Sequence, residues 1–90
     1  MSGWCVYIIR ASDDSLYTGI TTDLARRFQQ HCQGKGAKYF FARKPVAVVY
    51  CEAGFDRSAA SRREAAIKAM SKRDKELLVV QHQFIFKATY

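Results

Sequence analysis

The sequence predicts a small mixed α/β (α+β) domain in which helices flank a three-stranded sheet, in the order β-β-α-(α)-β-α-α. Three observations carry that reading. Two β-branched and aromatic stretches, residues 5–10 (CVYIIR) and 16–20 (LYTGI), stand on either side of a polar turn. A third apolar run, residues 46–51 (VAVVYC), follows the single proline. Apolar residues recur at helical spacing after the second and third of these stretches. Ninety residues without a low-complexity run or internal repeat make one domain, 1–90. Such a chain buries roughly 60–65% of its unfolded surface.

The first two strands form an antiparallel hairpin. Between them Ala11-Ser12-Asp13-Asp14-Ser15 supplies side chains that hydrogen-bond their own backbone in turns. With Arg10 opposite Leu16, Tyr7 faces Gly19 and Tyr17 faces Ile9. Both phenols then share a face as diagonal neighbours, roughly 7–8 Å apart at Cα. A slip of one residue would put them on opposite faces. Gly19 carries no side chain, so it leaves open space beside its neighbour.

In the helix that follows, Thr22 is the expected cap and Asp23 suits the positive end of the dipole. Leu24, Ala25, Phe28 and Cys32 form the expected apolar arc. Arg27 and His31, four apart, lie together along one edge of it, while Arg26 and Gln30 point further toward water. A lone arginine is ordinarily just solvated, but this placement beside the hairpin selects Arg27 over Arg26 for a task.

Taken in order, these residues resemble the GIY-YIG nuclease family. Cys5-Val6-Tyr7 stands where the first tripeptide would be, with only its tyrosine kept. Tyr17-Thr18-Gly19 matches the second at ten-residue tyrosine spacing, and the Arg-x-x-x-His of the helix falls on Arg27 and His31. The resemblance covers nearly the whole chain, is strongest to short stand-alone bacterial members, and implies a central antiparallel sheet. Two features depart from the family pattern. Ile20 stands where a lysine is common, and the chain has no asparagine to serve as the late site residue many members use.

Gly34 is the expected stop of the first helix. Residues 35–44 then carry Lys35, Lys38, Arg43 and Lys44 with no acid, interleaved with Tyr39, Phe40 and Phe41. The aromatics favour a short helix docked on the core; the basic residues, with Gly36, suit tracking of a phosphate backbone. The apolar run 46–51 reads as a third strand buried on both faces, with Gly54 breaking it. Asp56 or Ser58 starts a second long helix whose arc holds Ala59, Ala60, Ala66, Ile67 and Met70. Arg63 falls inside that arc, which requires its stem to pack and its head to escape. Glu64 lies at the edge with Lys68 one turn on; by spacing alone it is a solvent-facing pair. A last helix begins after Ser71, with Leu77, Leu78 and Val80 or Gln81 inward and residues 84–86 (FIF) docked. His82 is read as structural or exposed.

Fifteen Lys/Arg against eight Asp/Glu give a net charge of +7 and a pI near 9.6. That balance favours nucleic acid or another polyanion as partner. Cys5, Cys32 and Cys51 lack CxxC spacing, which fits a reducing cytosol; a zinc site built from them with either histidine is not expected. The apolar run at the start is too short for a signal peptide and nothing approaches a membrane span, so the expected location is cytoplasmic, with no membrane partner.

The family resemblance implies phosphodiester hydrolysis of nucleic acid, DNA ahead of RNA, assisted by one divalent metal ion, Mg²⁺ or Mn²⁺, and no small-molecule cofactor. It assigns Glu64 as the metal ligand. Tyr17 would accept a proton from the attacking water, Arg27 would stabilise charge on the phosphate, and Tyr7 and His31 would position water and phosphate. Lys35, Lys38, Arg43 and Lys44 are the expected backbone contacts. The alternative is a non-catalytic module that binds nucleic acid or a ribonucleoprotein through its basic faces.

Overall fold

A computed structural model describes residues 3–88, with side chains through His82. In chain order it contains β1 (Trp4–Ala11), β2 (Leu16–Thr21), α1 (Leu24–Cys32), a 3₁₀ turn (Lys38–Phe40), β3 (Pro45–Phe55), α2 (Arg57–Lys68) and α3 (Lys72–Ala88). The sheet is antiparallel throughout, in the order β2-β1-β3.

The hairpin has the expected register: Arg10 pairs with Leu16, Ile9 with Tyr17 and Tyr7 with Gly19. Its turn is held by Asp13, whose carboxylate accepts from the backbone N–H and the hydroxyl of Ser15. Asp14 takes a left-handed φ of 67°, a conformation that short polar side chains tolerate.

The central strand is the one buried on both faces. Val6, Tyr7, Ile8 and Ile9 are each no more than 1% exposed. Val6 and Ile8 pack with Tyr50, Ala60, Ile67 and Val79 beneath α2 and α3; Tyr7, Ile9 and Ala11 pack with Phe40, Leu24 and Phe28 beneath α1 and the 3₁₀ turn. The expectation of a doubly buried third strand is therefore corrected. β3 is an edge strand that leaves Val46 61% and Val48 37% exposed, and Gly54 lies inside it rather than ending it. An apolar run signals a strand, but its place in the sheet depends on which strand the others choose to pair with.

Each helix keeps its expected existence and shifts its inward face. Asp23, not Thr22, caps α1 by accepting from the Arg26 N–H at 3.1 Å. The inward face is Leu24, Arg27, Phe28 and His31, while Ala25 and Cys32 are exposed. The bulk of Phe28 against the sheet and the hydrogen-bonding of His31 turn the helix about one position from its purely apolar arc. Gly34, at φ 72°, ends α1 as expected: its N–H reaches the His31 carbonyl and the Lys35 N–H reaches that of Gln30, a Schellman closure. Asp56 caps α2. Ala60 and Ile67 are buried there, and Arg63 sends its head to Glu52 at 3.0 Å, while Ala66 is exposed. In α3, Leu78 and Val79 point inward and His82 stacks on Tyr50 at 4.9 Å, whereas Leu77, Val80 and Gln81 face outward. The expected docking of residues 84–86 lies outside the described side chains. No helix among the described residues is long and apolar enough to cross a membrane.

Arg10 ties the hairpin to α3. Its two terminal nitrogens meet the two Glu76 carboxylate oxygens at 2.7 and 2.8 Å, a bidentate fork stronger than a single exposed pair. Arg10 holds the Glu76 carboxyl below its usual range, so this contribution is present above about pH 4.5 and is lost as pH falls through the lower folded-state value. Glu76→Gln should cost about 1 kcal/mol at neutral pH and flatten the acid limb of the stability curve. Urea denaturation between pH 3 and 7 measures both.

Candidate active site

The candidate site grows from one ring. Tyr7 leaves the central strand and lies across Gly19 on the outer strand, where a β-carbon would stand 2.5 Å from the phenol oxygen. The hydroxyl ends 2.9 Å from His31 Nε2. Tyr7 and His31 are both 1% exposed. Burial pushes the Tyr7 phenol up to about 12; Arg27 beside it acts the other way, and the Glu64 carboxylate adds to the rise least of all. Burial, then the Arg27 cation, holds His31 below the usual imidazole value, so the bond joins two neutral groups at physiological pH. Either group can supply the shared proton, according to which imidazole nitrogen is protonated. His31 Nδ1 is buried without a partner among the described residues.

Tyr17 completes the face as the register requires. Its ring is half-buried, 6.3 Å from that of Tyr7 and edge-on to His31 at 5.3 Å. Tyr39 and Phe40 close the box at 5.2 and 5.1 Å from Tyr17. These separations lie in the favourable range for tilted and edge-to-face ring pairs.

Arg27 is half-buried, and its guanidinium donates to Gln30 Oε1 at 3.1 Å. Gly36, at φ 95°, lies flat against it, and a β-carbon there would sit 2.8 Å from Nη1. Glu64 comes from the opposite layer of the sandwich. Its side chain is 23% exposed and pairs with Lys68 at 3.2 Å, yet its charge is felt at the Tyr7 hydroxyl. The ring that crosses Gly19 carries that hydroxyl to the β2 edge, where the layers above and below the sheet meet.

Tyr7, Tyr17, Gly19, Arg27 and His31 are thus brought together, with Glu64 within electrostatic reach. His31 sits at the buried centre of the cluster rather than on the rim of α1. Lys35, Lys38 and Lys44 are exposed beside it. Arg43 is already engaged: it pairs with Asp13 at 2.8 Å and stacks over Tyr39 at 4.2 Å, bracing the basic loop to the hairpin turn. Gln30, Tyr39 and Phe40 join the site without having been singled out for it. Gln30, which the apolar arc pointed toward water, acts on Arg27 three residues earlier on α1; the roles of Tyr39 and Phe40 depend on where the loop folds back.

The GIY-YIG catalytic domain matches residues 3–77. The chain belongs to the GIY-YIG family. It is 52% identical over 77 residues to a UPF0213 protein of Pseudomonas aeruginosa, covering 86% of this chain and 74% of that one. To the UPF0213 protein YhbQ of Escherichia coli K12 it is 47% identical over 81 residues, covering 90% and 81%. The solution structure of the UPF0213 protein BH0048 from Bacillus halodurans is similar at 44% identity and TM-score 0.56, covering 87% of this chain and 83% of that one. That of EF2693 from E. faecalis is similar at 31% identity and TM-score 0.60, covering 93% and 88%. The GIY-YIG domain is nuclease-type, with nucleic acid as its class of substrate.

The site's dependence on Gly19 is testable. Gly19→Ala places a methyl group where the Tyr7 hydroxyl lies, and the ring is too closely packed to yield freely. The substitution should cost about 1–3 kcal/mol and separate the phenol from His31. Chemical denaturation gives the first; the His31 ring nitrogen shifts in NMR give the second.

Proposed function

We propose that this GIY-YIG protein is a metal-assisted endonuclease that hydrolyses phosphodiester bonds of nucleic acid, DNA ahead of RNA. The observation that carries the reading is the Tyr7 hydroxyl. It is hydrogen-bonded to the buried His31 imidazole, its ring lies 6.3 Å from that of Tyr17, and the Arg27 cation stands beside it.

In this reading Tyr17 accepts the proton of the attacking water as the new P–O bond forms and the bond to the leaving sugar oxygen breaks. That role requires a phenol pKa well below about 10 in the active complex, or transfer through a second water. Tyr7, pushed up to about 12 by burial, is unsuited to it and instead positions water and phosphate together with His31. Arg27 meets the charge that grows on the phosphate oxygens.

Glu64 fits a metal of one kind. No three His, Cys, Asp or Glu side chains converge among the described residues, so a closed structural zinc cage has no donors. A single half-buried carboxylate, held only by the exposed Lys68, suits a hard ion that keeps its waters and completes its shell with substrate oxygens, Mg²⁺ or Mn²⁺. When bound, that ion supplies positive charge that polarises the phosphate.

Lys35, Lys38 and Lys44 lie free to follow the sugar–phosphate backbone. The alternative, a binding module that has kept the fold without turnover, draws support from Ile20 in the usual lysine position and from the missing asparagine. Turnover abolished by chelator separates the two.

Glu64→Gln should retain the fold, within about 0.5 kcal/mol, while metal-dependent cleavage collapses; undiminished cutting would leave Glu64 as a partner of Lys68 alone. In single-turnover assays Tyr17→Phe should lower the rate by about 10²–10⁴, with Tyr7→Phe less severe. The reverse ordering would exchange the two roles. Replacing Lys35 and Lys38 together by alanine should reduce the salt dependence of duplex binding by about two logarithmic units of slope, which titrations at several salt concentrations would show directly.

A further inference from the structure

Where β2 passes into α1, a groove of about 260 Å³ opens beside Arg27. That is about nine water volumes at ~30 Å³ each, room for a flat heterocycle rather than a single ion. Its walls are of two kinds: Trp4 and Ile20 are apolar, and Arg26, Arg27 and Gln30 are polar or cationic. Trp4 and Ile20 also pack on the core, so the apolar wall is rigid. Asp23, the acid of the groove, is occupied in capping α1 through the Arg26 N–H. Arg57 lies over the Trp4 ring, 5.6 Å from its centre, an exposed cation–π contact that a base stacking on that face would displace.

An apolar wall facing a cationic one matches the two halves of a nucleotide. Arg27 belongs to both the groove and the Tyr7–His31 cluster, so the two are continuous. We infer that this groove is a nucleotide subsite, in which an unpaired base beside the scissile phosphate lies against Trp4 while Arg26 meets the adjoining phosphate. The inference rests on the nuclease reading above and narrows its substrate. A base inside a duplex has both faces covered by its neighbours, whereas a base in a single strand, flap or frayed end offers one to an aromatic side chain. The preferred substrates are therefore strands with an unpaired nucleotide at the cut.

Trp4 is the only tryptophan in the chain, so its emission reports on this groove directly. The test titrates the wild-type protein, with chelator present to prevent turnover, with a short single-stranded oligodeoxynucleotide. Fluorescence anisotropy of an end-labelled copy, run in parallel, measures binding. Saturable quenching of Trp4 that tracks the anisotropy is expected. An abasic strand and a blunt duplex should bind with little quenching. Trp4→Ala should weaken single-strand binding roughly 5- to 100-fold with duplex affinity unchanged, and Trp4→Phe should restore most of the loss. Binding with no change in Trp4 emission, or equal quenching by the abasic strand, overturns the subsite and leaves the nuclease reading standing. Quenching as expected, without cleavage once metal is restored, keeps the subsite and removes the catalytic reading. No binding of any nucleic acid overturns both.

Discussion

The hydrogen bond between the Tyr7 hydroxyl and His31 Nε2 exists because nothing stands on Gly19. A phenol on the central strand reaches the outer strand only by lying across its partner residue, in space that a β-carbon would claim. From that single vacancy the rest of the site follows. The ring delivers a hydroxyl to the sheet edge, α1 turns to place His31 over it, and Arg27 arrives one helical turn earlier on the same face. Gly36 performs a similar service for the guanidinium on its other side.

Charge is distributed to the same end. Arg10, Arg43 and Arg63 each face a carboxylate, from Glu76, Asp13 and Glu52 respectively. Arg27 instead donates to the uncharged amide of Gln30. Among the described residues it is oriented by that bond without being neutralised, and it lies beside the hydrogen-bonded Tyr7–His31 pair. A half-buried cation so placed attracts an anion more strongly than the screened lysines of the loop. Those lysines suit the weaker and less specific task of holding a backbone in place.

A narrow sheet is part of the design. α1 covers one face and α2 the other, so Glu64 begins on the opposite layer from His31. β2 is an edge strand, so both layers border its open side. A fourth strand beyond β2 would place a wall of backbone between them. The groove beside Trp4 opens at the same end of the sheet, so the candidate cluster and the proposed base site adjoin through Arg27.

Local chemistry in the sequence determined the hairpin, its register and the tyrosines that share a face. Turn-forming side chains and a two-residue period are short-range properties, and they survive folding unchanged. The same holds for Gly34 and Asp56, whose conformational and capping preferences act within a few residues. Spacing singled out Arg27 and His31 as candidates, whereas Glu64 was singled out by the family resemblance alone. What tertiary structure alone decided was which strand lies in the middle and how far each helix is turned. β1, not β3, became the doubly buried strand, because both neighbours pair with it. His31 moved from the rim of α1 to its buried centre, since its imidazole gains a partner in Tyr7 that an apolar arc cannot anticipate. The sequence marked Tyr39 and Phe40 only as aromatics that dock on the core; their packing against Tyr17, like the Trp4 groove, joins residues that are distant along the chain and adjacent only once the loop and sheet have closed.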